Sequence, residues 1–235
     1  MNYYIESPNI PSVAPSLTVL LARLGTMGHY DGEATMQKQE SRLYSIGEAY
    51  QALVVLFRSI RHVRKAKKKG LIDRLFMERI MLAVTQVNVC PLCSYAHTRM
   101  ALEMGMASQD IKQLLSGELE QVPDDQLKAI MFSQHYAETK GRPTRKAWDE
   151  IVLEYGDCAA KGILGSARII MVGNIWGVVL GLLQRRISDH SKDTRSSLGY
   201  ELLLTFSILP FLPLAALHSI VASLVGTPLL RFSGE

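Results

Sequence analysis

Apolar residues recur at helical spacing through most of the chain, and proline or glycine separates the segments that carry them. Leu127, Ile130 and Met131 fall on one side of such a helix, and residues 71–87 form a long run of helix-forming residues without proline or glycine. The pattern predicts helices over residues 46–66, 71–87, 91–104, 124–139, 144–155 and 157–187, with glycines 105 and 156 as stops.

The segment before residue 44 is predicted to be an extension of the helical domain. Three prolines among its first fifteen residues prevent an early helix. Asn2 and Glu6 stand where a secretory signal would carry positive charge, so no such signal is predicted. Ser45 and Glu48 have the spacing of a capping box, which marks the start of the first helix. The predicted boundaries are 1–43 for the extension, 44–190 for the helical domain and 198–230 for a hydrophobic C-terminal segment.

The hydrophobic C-terminal segment has no charged residue from Leu202 to Leu230, a run of twenty-nine positions. This length and composition are typical of a segment that spans or lies in a membrane. Pro210 and Pro213 predict a hairpin or a pair of short helices. Another explanation is a tail that covers an apolar groove on a partner. Membrane association is favoured, because Arg185, Arg186, Lys192, Arg195 and the basic run 58–69 could then all lie on the cytoplasmic side.

The charge of the chain is concentrated in one place. The 235 residues have a net charge of +4, yet seven lysines and arginines occur within the twelve residues 58–69, so the rest of the chain is net negative. A solvated helix end and contact with anionic lipid are the two explanations that stay open. Nucleic-acid binding is not expected, since the run has few interleaved aromatic residues and no nucleic-acid motif beside it.

The three cysteines of the chain are too few, and odd in number, for a disulfide framework. They favour a reducing compartment, which predicts a cytoplasmic protein. Together with the hydrophobic C-terminal segment, this predicts attachment to the inner face of the membrane. Two of them form a C-x-x-C pair. Cys90 is placed at the N-cap of a helix by Pro91, and Cys93 falls at its third position. Unpaired N–H groups in this first turn stabilise a thiolate, and His97 lies on the same face, four residues after Cys93.

Two other interpretations of this pair are a structural zinc site and a pair of inert thiols. A structural zinc site needs about four ligands, and only Cys90, Cys93 and His97 cluster here. The cysteines could also be inert. Glu78, twelve residues before Cys90, could be a solvent-facing partner of Arg74 or part of the site. Redox chemistry is the favoured interpretation.

The spacing from Glu78 to His97 resembles that of a known family. A glutamate, eleven residues, C-x-x-C, three residues and a histidine are the pattern of the AhpD-like alkylhydroperoxidases in the carboxymuconolactone decarboxylase family, and the resemblance extends over residues 65–187. It implies an all-α fold, an AhpD-like helical bundle, to which this chain adds a hydrophobic C-terminal extension that the resemblance does not itself imply. It also implies a homo-oligomer. The repeat of Gly173, Gly177 and Gly181 then predicts tight packing within that oligomer.

The resemblance also implies a function for the four residues. Cys93 would be the peroxidatic thiol and Cys90 the resolving thiol, while Glu78 and His97 would form a proton relay through water. The expected activity is reduction of a hydroperoxide with electrons from a lipoyl- or thioredoxin-like dithiol protein, without cofactor or metal. A thiol-disulfide oxidoreductase and a membrane-associated redox sensor without peroxide turnover are the alternatives.

The sequence also departs from the family in one respect. Some members carry a histidine between the two cysteines, where this chain has Pro91 and Leu92. This leaves the peroxidase rate and the choice of reductant open. Lactone decarboxylation is not expected, because the decarboxylase branch lacks the paired cysteines.

Overall fold

The computed structural model describes residues 40–188 and 195–234, and within them it contains seven helices and no strand. The all-α prediction is therefore confirmed. Residues 1–39, most of the predicted N-terminal extension, lie outside the described residues. The helices are α1 (Ile46–Lys68), α2 (Arg74–Asn88), α3 (Pro91–Glu103), α4 (Ser108–Ser116), α5 (Asp124–Glu138), α6 (Arg145–Ser188) and α7 (Leu198–Leu224).

Helices α1 and α6 form the centre of the bundle. Gly162 and Gly165 of α6 lie against Ala66 and Val63 of α1, so closely that a Cβ atom at either glycine would overlap those side chains. Most of α6 beyond Tyr155 is buried, as expected of a helix that contacts neighbours on several sides. Helices α2, α3, α5 and α7 all pack against it. This central position lets α6 contact both sites described below.

Local sequence signals fix several helix ends. Ser45 and Glu48 form the predicted capping box, with the Ser45 N–H donating to a Glu48 carboxylate oxygen at 2.7 Å. Asp73, which the apolar pattern did not single out, caps α2 by accepting the Phe76 N–H at 2.6 Å. Gly156 interrupts α6 where a stop was predicted, because its φ of 74° is not helical. Glycine adopts this conformation without strain.

Helix α7 corrects the prediction of a hairpin or two short helices. It is one helix of 27 residues that continues through Pro210 and Pro213. Both prolines are exposed, so their rings do not intrude on the buried stripe of α7 that packs on the bundle. The start of α7 is held by the buried Glu201, which accepts two hydrogen bonds from Arg186, at 2.7 and 2.6 Å.

The other side of α7 is apolar and exposed. Eleven large hydrophobic side chains between residues 202 and 225 are exposed, among them Phe206, Leu209 and Leu217. Helices α6 and α7 are both long and apolar enough to cross a membrane, but the apolar window of α6 is 78% buried within the bundle and that of α7 only 22%. A core helix of a soluble protein passes the same test, so the feature that bears on membrane contact is α7.

The basic run at the end of α1 is solvated over most of its length. Six of its seven cationic side chains are exposed, and Lys65, Lys67 and Lys68 occupy the last helical turn, where they complement the helix dipole. Arg58 differs from the others, because it is half-buried and contacts the segment that follows α7.

Candidate redox site

The turn between α2 and α3 places the cysteine pair. Helix α2 ends at Asn88, and Val89 reverses the chain in a left-handed conformation with a φ of 52°. Cys90 is then the N-cap of α3, Pro91 opens the helix, and Cys93 is its third residue, as predicted. The Cys93 N–H donates to the Cys90 sulfur at 3.3 Å. The Cys90 sulfur therefore takes the place of the oxygen that usually caps a helix.

The two sulfur atoms lie at disulfide-bonding distance, and the Cα atoms of Cys90 and Cys93 are 5.3 Å apart. Their access to solvent differs. Cys90 is completely buried, whereas Cys93 keeps 8% of its surface exposed. Of the two, Cys93 is the thiol that a small molecule from solvent could reach.

Glu78 on α2 and His97 on α3 contact each other through their side chains. A carboxylate oxygen of Glu78 lies 2.8 Å from the Nδ1 atom of His97. Glu78 is only 6% exposed, and it contacts His97 and not Arg74, so the solvent-facing pairing with Arg74 is wrong. His97 in turn shares a face of α3 with Cys93, four residues earlier. The structure thus brings all four predicted residues to one region between α2, α3 and α6.

Gly177 is part of this site and was not predicted to be. A Cβ atom at this position of α6 would lie 2.6 Å from the Cys93 sulfur and 2.8 Å from the Cys90 sulfur. The backbone oxygen of Gly173, one turn earlier, lies 3.6 Å from the Cys93 sulfur. The glycine repeat therefore packs α6 against the cysteines of its own chain at Gly177, and no oligomer is needed to explain it. Gly181 has nothing within 4 Å of a Cβ position.

A polar contact between Thr85 and Asn174 joins α2 to α6. The Thr85 hydroxyl donates to the side-chain oxygen of Asn174 at 3.1 Å, and both residues are fully buried. Thr85 lies two turns from Glu78 on the same helix, and Asn174 lies one turn before Gly177. The amide nitrogen of Asn174 is buried and has no partner among residues 40–188 and 195–234. It leaves a donor for a bound water.

Comparison with known families agrees with this geometry. Residues 55–120 match the carboxymuconolactone decarboxylase family. The matched segment contains Glu78, both cysteines and His97, and the family resemblance inferred from the sequence is confirmed. No curated protein and no solved structure matches the chain. Within the described ranges, no group of three or more histidine, cysteine or acidic side chains could hold a metal ion.

Substituting Gly177 by alanine is expected to destabilise the protein. The added methyl group would overlap both sulfurs, and overpacking of this kind costs about 1–3 kcal/mol of unfolding free energy. Denaturant unfolding of the oxidised protein measures the change. Gly181→Ala is the matched control, and it is expected to stabilise by about 0.5–1 kcal/mol, as alanine does in a helix with free space. Equal shifts for the two variants would show that Gly177 does not support the cysteines.

Proposed function

We propose that the protein is a thiol-dependent peroxidase that reduces hydroperoxides through the Cys90–Cys93 pair. The observation that carries the proposal is the 2.8 Å contact between the buried Glu78 and the partly buried His97, beside two cysteines at disulfide-bonding distance. A pair of inert thiols would not require a buried carboxylate paired with an imidazole nearby. The family includes enzymes, and the match over residues 55–120 supports an enzymatic role.

The reaction would proceed in three balanced steps. The Cys93 thiolate attacks the terminal peroxide oxygen, the O–O bond breaks, and an alcohol and a Cys93 sulfenic acid form. The Cys90 thiol then attacks the Cys93 sulfur, which releases water and forms the disulfide. An external dithiol, which we propose to be a lipoyl- or thioredoxin-like protein, reduces the disulfide by exchange and becomes oxidised itself.

Glu78 and His97 would move the protons in these steps. One of them accepts the proton as the thiolate forms, and the alkoxide leaving group needs a proton as the O–O bond breaks. Their contact fixes the orientation of the imidazole, as a carboxylate does in other acid–base pairs. The backbone oxygen of Gly173 is placed to accept a hydrogen bond from the reduced Cys93 thiol. These contacts would hold the thiol in place before the peroxide arrives.

Single-turnover peroxide consumption tests the proposal. Pre-reduced protein is mixed with a slight excess of an alkyl hydroperoxide, and the remaining thiols are counted over time. A Cys158→Ser background removes the third, half-buried thiol from the count. We expect two thiols per chain to be lost, much faster than from a small free thiol. If both thiols survive excess peroxide but exchange with a protein disulfide, the chain is a thiol-disulfide oxidoreductase and the peroxidase proposal fails.

We also propose that the protein is cytoplasmic and that the exposed face of α7 lies on the inner surface of the membrane. The helix is about 40 Å long, its outer face is apolar, and the basic end of α1 supplies charges that attract anionic lipid. Leu209→Glu combined with Leu217→Glu is expected to release the protein from anionic vesicles in a sedimentation assay. Both side chains are more than half exposed, so the bundle should tolerate the change.

The matched control for this experiment uses the same chemistry elsewhere. Met131→Glu combined with Leu153→Glu places two charges on other exposed apolar residues, and we expect binding to be retained. The wild-type protein could instead fail to bind vesicles and form an oligomer that is lost in the α7 variant. In that case a second copy covers this face and the membrane proposal is wrong.

A further inference from the structure

A cavity of about 890 Å³ lies between α1, α5, α6, α7 and the residues that follow α7. Its wall includes Met171 and Ile175 of α6, whereas Gly173 and Gly177 of the same helix face the cysteines. With 3.6 residues per turn, these two pairs lie on opposite sides of the helix. The cavity and the redox site are thus separated by the body of α6.

A buried arginine lies at the wall of this cavity. Arg168 is 2% exposed, and all three of its nitrogen atoms donate to neutral oxygens. The acceptors are the Tyr136 hydroxyl at 3.0 Å, the Ser59 hydroxyl at 2.8 Å and the Leu229 backbone oxygen at 2.8 Å. A guanidinium group has five N–H donors, so one on each terminal nitrogen is left over.

A second arginine at the same wall, Arg58, is half-buried. Arg58 donates to the backbone oxygens of Pro228 at 3.0 Å and Thr227 at 2.6 Å. Its Nε atom is buried and has no hydrogen-bond partner in the part of the chain that the structure describes. Burial first, and then the positive charges of Arg168, Arg61 and Arg231, lower the pKa of Arg58. Arg58 and Arg168 donate to the backbone oxygens of consecutive residues, Pro228 and Leu229, so the two guanidinium groups are neighbours.

The cationic side chains that line this cavity outnumber the acidic ones. Neither Arg58 nor Arg168 forms an ion pair with a carboxylate of residues 40–188 or 195–234. The cationic residues that line the cavity are Arg58, Lys140, Arg142, Arg168 and Arg231, and the acidic ones are Glu48 and Glu138. Glu48 is already paired with Lys140 at 2.9 Å, and Glu138 is exposed. A buried charge without a counter-charge costs free energy, which a bound anion would recover.

Apolar side chains form part of the remaining wall, beside neutral polar residues such as Ser45 and Gln51. Val54, Val55, Ile175 and Leu229 line the cavity together with tyrosine rings. A volume of this size, lined partly by apolar side chains and partly by convergent polar and charged groups, can hold a small molecule. We propose that this cavity binds an amphipathic anion, with an oxyanion head, carboxylate or phosphate, on Arg58 and Arg168 and an apolar chain along α1 and α6. Guanidinium groups bind both kinds of head in a bidentate manner.

This site does not depend on the proposed peroxidase activity. A molecule held here is separated from Cys93 by α6, so it is not the hydroperoxide that the cysteines would reduce. Binding at the cavity and peroxide turnover at the cysteines can therefore succeed or fail independently.

Calorimetric titration of the full chain tests the proposal with four probes: decanoate, decyl phosphate, decanol and inorganic phosphate. We expect one decanoate or decyl phosphate per chain to bind below the micelle concentration, and decanol and inorganic phosphate to bind at least about tenfold more weakly. Tighter binding of decyl phosphate would identify a phosphate head, as in a lipid, and tighter binding of decanoate would identify a carboxylate. Either result supports the site.

Two variants and one control locate the binding. Arg58→Gln should weaken decanoate binding about tenfold or more. Val55→Glu, one turn before Arg58, should supply the missing counter-charge, raise the melting temperature and abolish decanoate binding, while the arginines keep their contacts with the C-terminal residues. Arg64→Gln removes an exposed charge from the same helix and should leave decanoate binding unchanged. Equal binding of decanol and decanoate, or equal binding by all variants, would overturn the proposal.

Discussion

Replacing Cys93 by serine is expected to lower the rate of hydroperoxide reduction by about 10³-fold or more, to the level of a protein without a peroxidatic thiol. A serine hydroxyl fills nearly the same space, so the packing against Gly177 is kept while the nucleophile is lost. Single-turnover peroxide consumption measures the rate. Cys90→Ser is expected to behave differently, because Cys93 can still react once and its sulfenic acid then has no partner.

These two variants together determine the order of the cysteines. A reagent specific for sulfenic acids should label Cys90→Ser after peroxide treatment and should not label Cys93→Ser. The 8% exposure of Cys93, against the complete burial of Cys90, is the physical reason for this assignment. Labelling of Cys93→Ser alone would reverse the roles. Full activity in both variants would mean that neither cysteine is the site of peroxide reduction.

Substituting Glu78 by glutamine is expected to slow peroxide reduction by about 10²–10⁴-fold, the usual contribution of general acid–base catalysis. Glutamine has the same shape and can still contact His97, but it can neither accept a proton nor stabilise an imidazolium. After a long incubation with peroxide, the number of thiols lost should still reach two per chain, because the cysteines themselves are intact. Rapid-mixing peroxide consumption in pre-reduced protein separates the rate from this end point.

Glu103→Gln is the matched control for the change at Glu78. Glu103 is on α3 and pairs with Arg99, four residues earlier, but its side chain is 62% exposed. Its removal changes the net charge equally without touching the site, and exposed pairs of this kind contribute little to stability. Similar rates for wild type and the Glu78 variant would remove Glu78 from the proposed relay.

The local structure of the redox site could be predicted because its signals are contained within single turns of helix. Pro91 fixes the start of α3, which places Cys90 at the cap and Cys93 and His97 on one face. The capping box at Ser45 and the break at Gly156 are confirmed for the same reason. Such signals depend on backbone conformation and on neighbours three or four residues away.

Features that depend on packing between distant helices were not predictable. The spacing of Glu78 on its helix also fitted a surface residue beside Arg74, and only the packing of α3 on α2 decides that it is buried against His97. The role of Gly177 depends in the same way on the position of α6. The continuous course of α7 through two prolines depends in the same way on packing, since its buried stripe lies along the bundle.

The close contact at Gly177 limits which amino acids this position can accept. Every amino-acid change at this position adds at least a Cβ atom, and the two sulfurs leave no room for one. In a library of all single substitutions selected for peroxide resistance, position 177 should therefore be depleted of every alternative, including alanine and serine. Position 181, one turn further along the same helix, should accept small residues freely. Two glycines one turn apart on the same helix would thus differ, one intolerant of substitution and the other tolerant.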